Sequence, residues 1–300
     1  MKIEELNRKY GAPGRIVFKI GHGGYPEVVM ANKYGSAEVA LLGGAVLSYR
    51  PTGNHPVLFR PKNRNYVRGD KFHGGIPICW PQFSKGAIEG LCVHGFAQFM
   101  VFEVRGTTYS EESTEVTIGL SSDDSTRSVW PYDFDLELKV ILSMKLNMFL
   151  KTENTDKKEF GFTAAFHPYL AVKDVADVSI KGLDGCKYIN ADDMKEGVFK
   201  GDMKPGGGCD HVFYLPEAPK HEFAILDPGL KRAIAVVGAN HTVCTVWNPD
   251  KSGKIADHAP DDYKSFVCVE PCTAWRRPLT ILKPGQTSEL SMAIQSVPEI

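Results

Sequence analysis

Two side chains in this sequence stand where general acid–base chemistry could be performed. Glu270 ends the apolar run 266–269 and directly precedes Pro271. Because proline cannot donate to a strand ladder, Pro271 is expected to end the strand pairing and to leave Glu270 partly buried. Burial raises the pKa of a carboxyl group and makes its ionised form a better proton acceptor near neutral pH. A nearby histidine, His167, could then supply the matching proton donor.

His167 follows a predicted strand whose two faces differ in size. Since side chains alternate along a strand, an apolar row occupies one face, and His167 shares the other face with small residues. The apolar row is Phe160, Phe162, Ala164 and Phe166, and the small residues are Gly161, Thr163 and Ala165. The small face could line a cavity into which His167 points. A structural, hydrogen-bonded role stays open as the alternative for both His167 and Glu270.

Four more side chains lie among small residues and strand-like runs, where a ligand could approach closely. His94 precedes a glycine and could instead stabilise a turn. Asp210 is by composition first a turn residue. Trp247 is typical of a buried aromatic residue that ends a strand, with a sugar-stacking surface as the alternative. Gln82 is a loop amide that carries no signal of its own.

The elements that must position these side chains are predicted to be strands. Apolar residues recur at alternate positions from Phe134 to Leu150, a period of two that indicates paired strands. Shorter strand-like runs are 38–42, 99–104, 115–120, 160–166, 233–237, 242–247, 266–269 and 289–294. Glycine and proline punctuate the whole length, and no segment has a sustained apolar period of 3.6 residues. We therefore predict an all-β sandwich with few short helices, as a single domain over residues 1–300.

The bulk composition excludes several classes of partner. A net charge of −1, with no long run of like charges, gives no reason to expect nucleic acid. No stretch approaches the roughly 20 apolar residues of a membrane-spanning helix, and residues 1–10 are charged rather than signal-like. Seven scattered cysteines suit a reducing compartment, and their spacing gives little support to structural zinc. We expect a soluble, cytoplasmic protein with no membrane partner.

Six motifs follow one another along nearly the whole chain. They are Gly74-Gly75-Ile76-Pro77 with Trp80-Pro81-Gln82-Phe83, His94-Gly95-Phe96-Ala97, Phe166-His167-Pro168-Tyr169-Leu170, Asp210-His211-Val212, Val246-Trp247-Asn248-Pro249, and Tyr263-Lys264 running into Val267-Cys268-Val269-Glu270-Pro271. In this order and spacing they resemble the hexose-6-phosphate mutarotase (glucose-6-phosphate 1-epimerase) branch of the aldose 1-epimerase, or galactose mutarotase-like, superfamily.

The resemblance implies a large antiparallel β-sandwich with a concave sugar cleft. It makes Glu270 the general base that takes the proton of the anomeric hydroxyl, and His167 the general acid that protonates the ring oxygen. Ring opening, rotation about the C1–C2 bond and closure would then interconvert the α and β anomers without a metal or organic cofactor. The other residues expected to contact the sugar are His94, Asp210, Gln82 and Trp247. We expect a monomer.

Two positions depart from the pattern of that branch. The branch usually has arginine directly before Gly-Gly-Ile-Pro and again after His-Gly-Phe-Ala, where this sequence has His73 and Gln98. Those arginines clamp the phosphate through bidentate, permanently charged contacts that neither replacement reproduces. His73 could still give one charged hydrogen bond if phosphate raised its pKa. The neighbouring cations could compensate, or be ordinary solvated loop charges; they are Arg68, Lys71 and Lys85.

The expected substrate is a hexose 6-phosphate, with glucose 6-phosphate first. A non-phosphorylated aldose is the alternative substrate, and a carbohydrate-binding protein without turnover is the alternative from another class. A glycosidase would need two carboxylates that flank a glycosidic bond, a role that Asp210 and Glu270 could nominally fill. The motif pattern argues against it, because it pairs the glutamate with a histidine.

Overall fold

The computed structural model describes residues 2–61, 69, 71, 73–206, 208–251, 253, 255–276 and 278–298. Within these ranges the chain forms two short α-helices, α1 (Ile3–Tyr10) and α2 (Asp124–Val129). Acidic residues in the first turn of α1 and basic residues in its last turn complement the helix dipole. Asp123 caps α2, because its carboxylate accepts a hydrogen bond from the Thr126 amide. Short 3₁₀ helices lie at His22–Gly24, Ala97–Phe99, Val175–Asp177, Pro228–Leu230 and Asp262–Ser265.

Strands make up nearly half of the described chain. In order they are β1 (Ile16–Ile20), β2 (Pro26–Asn32), β3 (Gly35–Ala40), β4 (Val46–Pro51), β5 (Ile78–Cys79), β6 (Glu103–Tyr109), β7 (Thr114–Ser121), β8 (Phe134–Leu142), β9 (Leu146–Asn154), β10 (Phe160–Phe162), β11 (Ala165–Phe166), β12 (Tyr169–Ala171), β13 (Ser179–Lys181), β14 (Lys187–Asn190), β15 (Glu196–Val198), β16 (Cys209–Tyr214), β17 (His221–Asp227), β18 (Arg232–Ala239), β19 (Val243–Asn248), β20 (Phe266–Cys272), β21 (Thr280–Leu282) and β22 (Thr287–Pro298).

Two eight-stranded antiparallel sheets form the body of the protein. The cleft sheet has the order β15-β14-β16-β19-β20-β11-β5, and β12 pairs with β20 beside β11. The back sheet has the order β13-β17-β18-β22-β9-β8-β7-β6. Side chains from both sheets meet in one hydrophobic cluster, which also takes in β1–β4. The predicted all-β, antiparallel β-sandwich with few short helices is thereby confirmed.

The long alternating segment is a β-hairpin in the back sheet. β8 and β9 pair along their full length, from Phe134 opposite Asn154 to Leu142 opposite Leu146. In both strands every second residue is buried, as a period of two requires. Met144 does not belong to the apolar row, because it lies at the turn and its side chain is 62% exposed. The predicted pairing is confirmed. The alternation of buried and exposed residues holds within each strand but not across the turn between them.

The side chains of β20 point alternately into the core of the sandwich and to the opposite face of the cleft sheet. Val267 and Val269 lie in the main hydrophobic cluster. Because side chains alternate, Cys268 and Glu270 point to the other face. That face of β20 is open to the loops before β5 and after β19, so it can form the floor of a binding site.

The expectation that Pro271 ends the pairing of β20 is wrong. β20 continues to Cys272, and Pro271 is paired with Cys244 of β19. On its other side β20 meets β11 at Ala165 and then β12, with a gap in the pairing between these two strands. The missing N–H of Pro271 is tolerated because the pairing is interrupted there.

The remaining strand predictions are accurate in position but not in length. The run 160–166 is divided into β10 and β11, since the backbone of residues 163–164 pairs with loops instead. The Thr163 amide donates a hydrogen bond to the Pro81 carbonyl, and the Ala164 amide donates one to the Thr273 hydroxyl. The run 99–104 forms a strand only from Glu103 onward. Within the described residues, no helix is long and apolar enough to cross a bilayer.

Candidate active site

A cavity of about 310 Å³ opens on the cleft sheet. Its floor comes from β16, β19 and β20, and its walls come from the loops around β5 and from the segment at residue 255. A cavity of this size is at the small end of the range of ligand pockets and suits a small molecule. Among the histidines and carboxylates that line it, His167 and Glu270 are the most buried.

The pairing of β20 brings His167 next to Glu270. Ala165 lies opposite Cys272 and Tyr169 lies opposite Cys268, so the residue midway between them faces Glu270. The His167 Nε2 and the Glu270 Oε1 are 3.5 Å apart. The His167 ring stacks on the Tyr169 ring with centroids 4.9 Å apart, and the His167 amide donates to the Pro77 carbonyl. Backbone and ring contacts together fix the imidazole over the carboxyl group.

Both members of this pair are buried and have unused hydrogen-bonding capacity. Glu270 is 1% exposed and His167 is 8% exposed. Neither Glu270 Oε2 nor His167 Nδ1 has a hydrogen-bond partner among the described residues. Buried polar atoms without partners are costly, so they are retained where a ligand can satisfy them. The pair is therefore poised to exchange hydrogen bonds with a bound molecule.

Burial shifts the two pKa values in opposite directions. It raises the pKa of Glu270 well above its usual value, and repulsion from Asp210 adds to the rise. It lowers the pKa of His167 well below its usual value, and the neighbouring His94 and His73 add to that fall. The two shifts move the titrations of the pair apart, so that the pair holds one proton over the pH range between them. With that proton present, one partner can donate while the other accepts.

His94 stands beside the pair in a fixed protonation state. Its ring contacts the His167 ring edge-on, with centroids 5.3 Å apart. Burial, followed by repulsion from Lys71 and His73, lowers the pKa of His94 to about 4, so the ring is neutral at pH 7. Its Nδ1 accepts a hydrogen bond from the Ser84 amide at 3.3 Å, which leaves the proton on Nε2. His94 is thus a neutral hydrogen-bond donor that lines the cavity.

Asp210 and Trp247 are neighbours on the floor of the cavity. Asp210 lies within β16 rather than in a turn, and it pairs with Trp247 of β19. The turn interpretation of Asp210 is therefore corrected by the structure. Burial, with repulsion from Asp192, raises the pKa of Asp210 to about 6, although Arg276 acts in the opposite direction. Both side chains line the cavity, where a carboxylate and an indole face could meet sugar hydroxyls and a sugar ring.

Gln82 does not reach the cavity, contrary to the expectation that it contacts the sugar. Its side chain is fully buried, and its amide nitrogen donates to the carbonyls of Leu91 and Cys92. Its amide oxygen accepts from the Ile88 amide at 3.0 Å. All these partners lie in the loop that ends at His94. Gln82 therefore supports the loop instead of binding a ligand.

Replacing Gln82 with methionine should destabilise the protein by about 2–4 kcal/mol, because three backbone groups of the loop lose their buried partner. The free energy of unfolding can be measured by urea titration. The matched control is Gln286→Met at an exposed turn, where one hydrogen bond to the Lys283 amide is lost and the expected cost is below about 1 kcal/mol. Equal stabilities for the two variants would contradict this role of Gln82.

The two residues that replace the arginines of the branch both line the cavity. The Gln98 amide nitrogen donates to the carbonyls of Val93 and Gly95, both at 2.8 Å, so this group is occupied by the loop. The His73 Nδ1 lies 2.8 Å from Asp257 Oδ1. His73 therefore has a carboxylate behind it, whereas Gln98 is held by neutral partners.

Of the two neighbouring cations that the structure describes, Lys71 lines the cavity and Lys85 does not. Lys71 is among the lining residues, and its charge lowers the pKa of His94. Lys85 is exposed and is not among the lining residues. Arg68 lies outside the described residues. Lys71 and His73 therefore place the basic side of the cavity at residues 71–73.

Several residues in and around the cavity were not among the contacts expected from the sequence. Thr245 and Tyr169 reach the floor through the pairing of β19 and β12 with β20. Trp275 and Cys79 line the wall. Asp257 is 184 residues from His73 in the sequence. Such contacts depend on the tertiary fold, so only the placement of strands and loops in three dimensions could identify them.

Three side chains on the floor could offer ligands to a metal ion. His167, Cys268 and Glu270 have ligand atoms that all lie within 4.8 Å of one another. Nitrogen, sulfur and oxygen ligands of this kind are typical for zinc. Cys272 lies four residues beyond Cys268 on the same strand, about 13 Å away at 3.3 Å per residue, so the two cysteines do not form a pair of ligands.

Comparisons with known proteins show which proteins this chain is similar to. The model of the aldose 1-epimerase family matches residues 26–295. A Salmonella typhimurium relative, provisionally named glucose-6-phosphate 1-epimerase, is 34% identical over 247 residues, which cover 81% of each chain. A crystal structure provisionally described as a mutarotase, also from Salmonella typhimurium, has a TM-score of 0.88 at 30% identity and covers 97% of this chain and 96% of its own. The galactose 1-epimerase of Lactobacillus acidophilus NCFM has a TM-score of 0.74 at 13% identity, covers 95% of this chain and 99% of its own, and shows the shared fold alone.

Proposed function

Because this chain belongs to the aldose 1-epimerase family, we propose that it interconverts the α and β anomers of a hexose 6-phosphate, with glucose 6-phosphate as the substrate. The protein is an isomerase of the mutarotase kind. The single observation that carries the catalytic assignment is the buried contact between His167 and Glu270 on the cavity floor. The roles of the individual residues and the identity of the sugar are part of the proposal.

In the proposed reaction, Glu270 removes the proton of the anomeric hydroxyl while His167 gives a proton to the ring oxygen. The bond between C1 and the ring oxygen breaks, and the open-chain aldehyde forms. Rotation about the C1–C2 bond presents the other face of the aldehyde. Reversal of the two proton transfers closes the ring as the opposite anomer. Each positioned group is expected to contribute roughly 10²–10⁴-fold, as general acids and bases do.

Further contacts are assigned to the residues around the pair. His94, as a neutral donor, would hold the ring oxygen or an adjacent hydroxyl. Asp210 would accept hydrogen bonds from sugar hydroxyls at the acidic side of the floor, and Trp247 would cover an apolar face of the ring. These assignments are supported by the position of all three residues along the cavity.

The preference for a 6-phosphate is supported by the basic side of the cavity. Lys71 and His73 stand there, and the relatives provisionally named glucose-6-phosphate 1-epimerase cover most of this chain. A free aldose is the second candidate substrate. It is favoured by Gln98, which has no charge and whose amide nitrogen is already occupied.

The test is exchange NMR of the anomeric protons, with glucose 6-phosphate and glucose at equal concentration. We expect faster catalysed exchange for the phosphate. Lys71→Gln should lower the ratio of kcat/KM for the two sugars by about 3–10-fold, a modest effect because the Lys71 side chain is exposed to solvent. Lys85→Gln is the matched control and should leave the ratio unchanged. A higher kcat/KM for free glucose in the unaltered protein would reject the phosphate assignment.

We further propose that the protein is a single-domain, cytoplasmic monomer. A single domain over residues 1–300 is supported by one hydrophobic cluster whose members range from Leu6 to Ile294. A cytoplasmic location is supported by the seven scattered cysteines, each a free thiol in the structure. A monomer remains the expected oligomeric state.

A further inference from the structure

His73 lies in the cavity wall, where one carboxylate, that of Asp257, contacts both its ring and its backbone amide. Asp257 Oδ1 lies 2.8 Å from His73 Nδ1, and Asp257 Oδ2 accepts a hydrogen bond from the His73 amide at 3.3 Å. The contact places the ring proton on Nδ1, since a carboxylate accepts. The second ring nitrogen, Nε2, is then the atom of His73 that is left for a ligand.

We propose that His73 and Asp257 form a proton-coupled anion clamp, in which His73 takes up one proton from solvent when the 6-phosphate group binds. A neutral imidazole would offer the lone pair of Nε2 to the phosphate oxygens, which repel it. An imidazolium instead donates a hydrogen bond from Nε2 to the phosphate and one from Nδ1 to Asp257. The clamp rests on the proposed hexose 6-phosphate substrate.

The groups that face His73 make protonation depend on the arrival of an anion. Lys71 lies beside it on the same segment, and His94 and His167 lie within electrostatic reach across the cavity. The ring of His258 is 6.2 Å away, and its Nε2 donates to the His73 carbonyl at 2.7 Å. Lys71 places a positive charge beside the ring, whereas Asp257 places a negative charge against it. A bound phosphate adds negative charge and shifts the balance toward the imidazolium.

Asp257 behaves as the counter-charge that this arrangement requires. Burial alone would raise its pKa, but the hydrogen bond and charge of His73, together with His258, hold the pKa of Asp257 below its usual value. The carboxylate is therefore ionised at neutral pH. Asp257 is assigned a positioning role, because its carboxylate holds His73 and it is not among the residues that line the cavity.

An arginine at position 73 would behave differently. A guanidinium keeps its charge at all accessible pH values, so its affinity for phosphate does not depend on its own titration. A clamp built on histidine loses one charge as the pH rises. The KM for the phosphorylated sugar should therefore rise with pH by up to about tenfold per pH unit, the limit for uptake of one proton.

The experiment uses glucose 6-sulfate beside glucose 6-phosphate, because the phosphate group itself titrates near pH 6 and a sulfate ester does not. KM and kcat are measured by exchange NMR from pH 6 to pH 8.5 for the unaltered protein and three variants. His73→Arg fixes the charge, and Asp257→Asn removes the counter-charge. His55→Gln changes an exposed histidine outside the cavity and is the matched control.

We expect log KM for glucose 6-sulfate to rise with pH in the unaltered protein and in His55→Gln, and to be flat in His73→Arg. In Asp257→Asn the rise should occur at lower pH, a change that a purely structural role of Asp257 would not produce. Calorimetry in buffers of different ionisation enthalpy should show uptake of up to one proton when glucose 6-sulfate binds at pH 7.5 to the unaltered protein, and less in His73→Arg.

Two results would overturn the clamp. One is a flat log KM in the unaltered protein, and the other is an equal rise in His73→Arg, which would assign the titration to another group. A failure of the substrate proposal has a different signature. Glucose would then have the higher kcat/KM at every pH, and neither phosphorylated nor sulfated sugar would compete with it.

Discussion

Replacing Glu270 with glutamine should lower kcat for anomer exchange by roughly 10³-fold while the protein stays folded. Glutamine has nearly the shape of glutamate, but its amide cannot accept the proton of the anomeric hydroxyl. Because burial already favours the uncharged form of Glu270, an uncharged amide fits the same site with little change in stability. The measurement is exchange NMR together with a urea titration.

Glu222→Gln, on an exposed position of β17, is the matched control and should leave both kcat and stability near their original values. Sugar affinity should largely persist in Glu270→Gln, since the other lining residues are intact. This variant also separates an enzyme from a pure binding protein. Unchanged exchange in Glu270→Gln would remove Glu270 as the base, and an absence of catalysed exchange in the unaltered protein with any aldose would favour the binding protein.

Replacing His167 with asparagine should lower kcat by about 10²–10³-fold, because the ring oxygen then loses its proton donor. In the double variant with Glu270→Gln, the loss should be close to that of the worse single variant rather than the product of the two. When two residues act as one unit, the rate losses caused by replacing each of them do not multiply. A fully multiplicative loss would show that the two side chains act independently.

The pH dependence of kcat/KM follows from the same pair. Burial lowers the pKa of His167, so the pair gains a second proton only well below pH 6.5, and activity falls on that acid side. Burial raises the pKa of Glu270, so the pair loses its single proton only well above pH 4.5, and activity falls on the alkaline side. The unaltered protein should have a plateau between these limits for free glucose, which has no ionisable group. His167→Asn should lose the alkaline fall and keep an acid-side fall, because Glu270 must be ionised to act as the base and burial raises its pKa.

The fold class could be predicted from the sequence because the alternation of apolar residues, its clearest pattern, directly reflects which side chains are buried. The alternation of 134–150 predicts β8 and β9, since one face of each strand packs in the core. The motif order predicts that His167 and Glu270 come together, and the structure places them 3.5 Å apart. Their roles in the reaction remain predictions for the variants described above.

The corrections involve contacts that a linear sequence does not encode. Pro271 could remain inside β20 only because the neighbouring ladder is interrupted between β11 and β12. Gln82 belongs to a motif that suggests sugar contacts, but its three hydrogen bonds all go to the backbone of residues 88–92. The partner of His73 is a residue on a distant loop, Asp257.

The burial of both His167 and Glu270 has a consequence for the energy of the reaction itself. In the proposed mechanism, the closed sugar reacts with an imidazolium and a carboxylate. Ring opening moves one proton from His167 to the sugar and another from the sugar to Glu270, which leaves both side chains uncharged. A dry site penalises separated charges, so it favours the stage at which they have cancelled. The interior of this cleft is therefore electrostatically matched to the open-chain aldehyde, the species that both anomers must pass through and that water alone stabilises poorly.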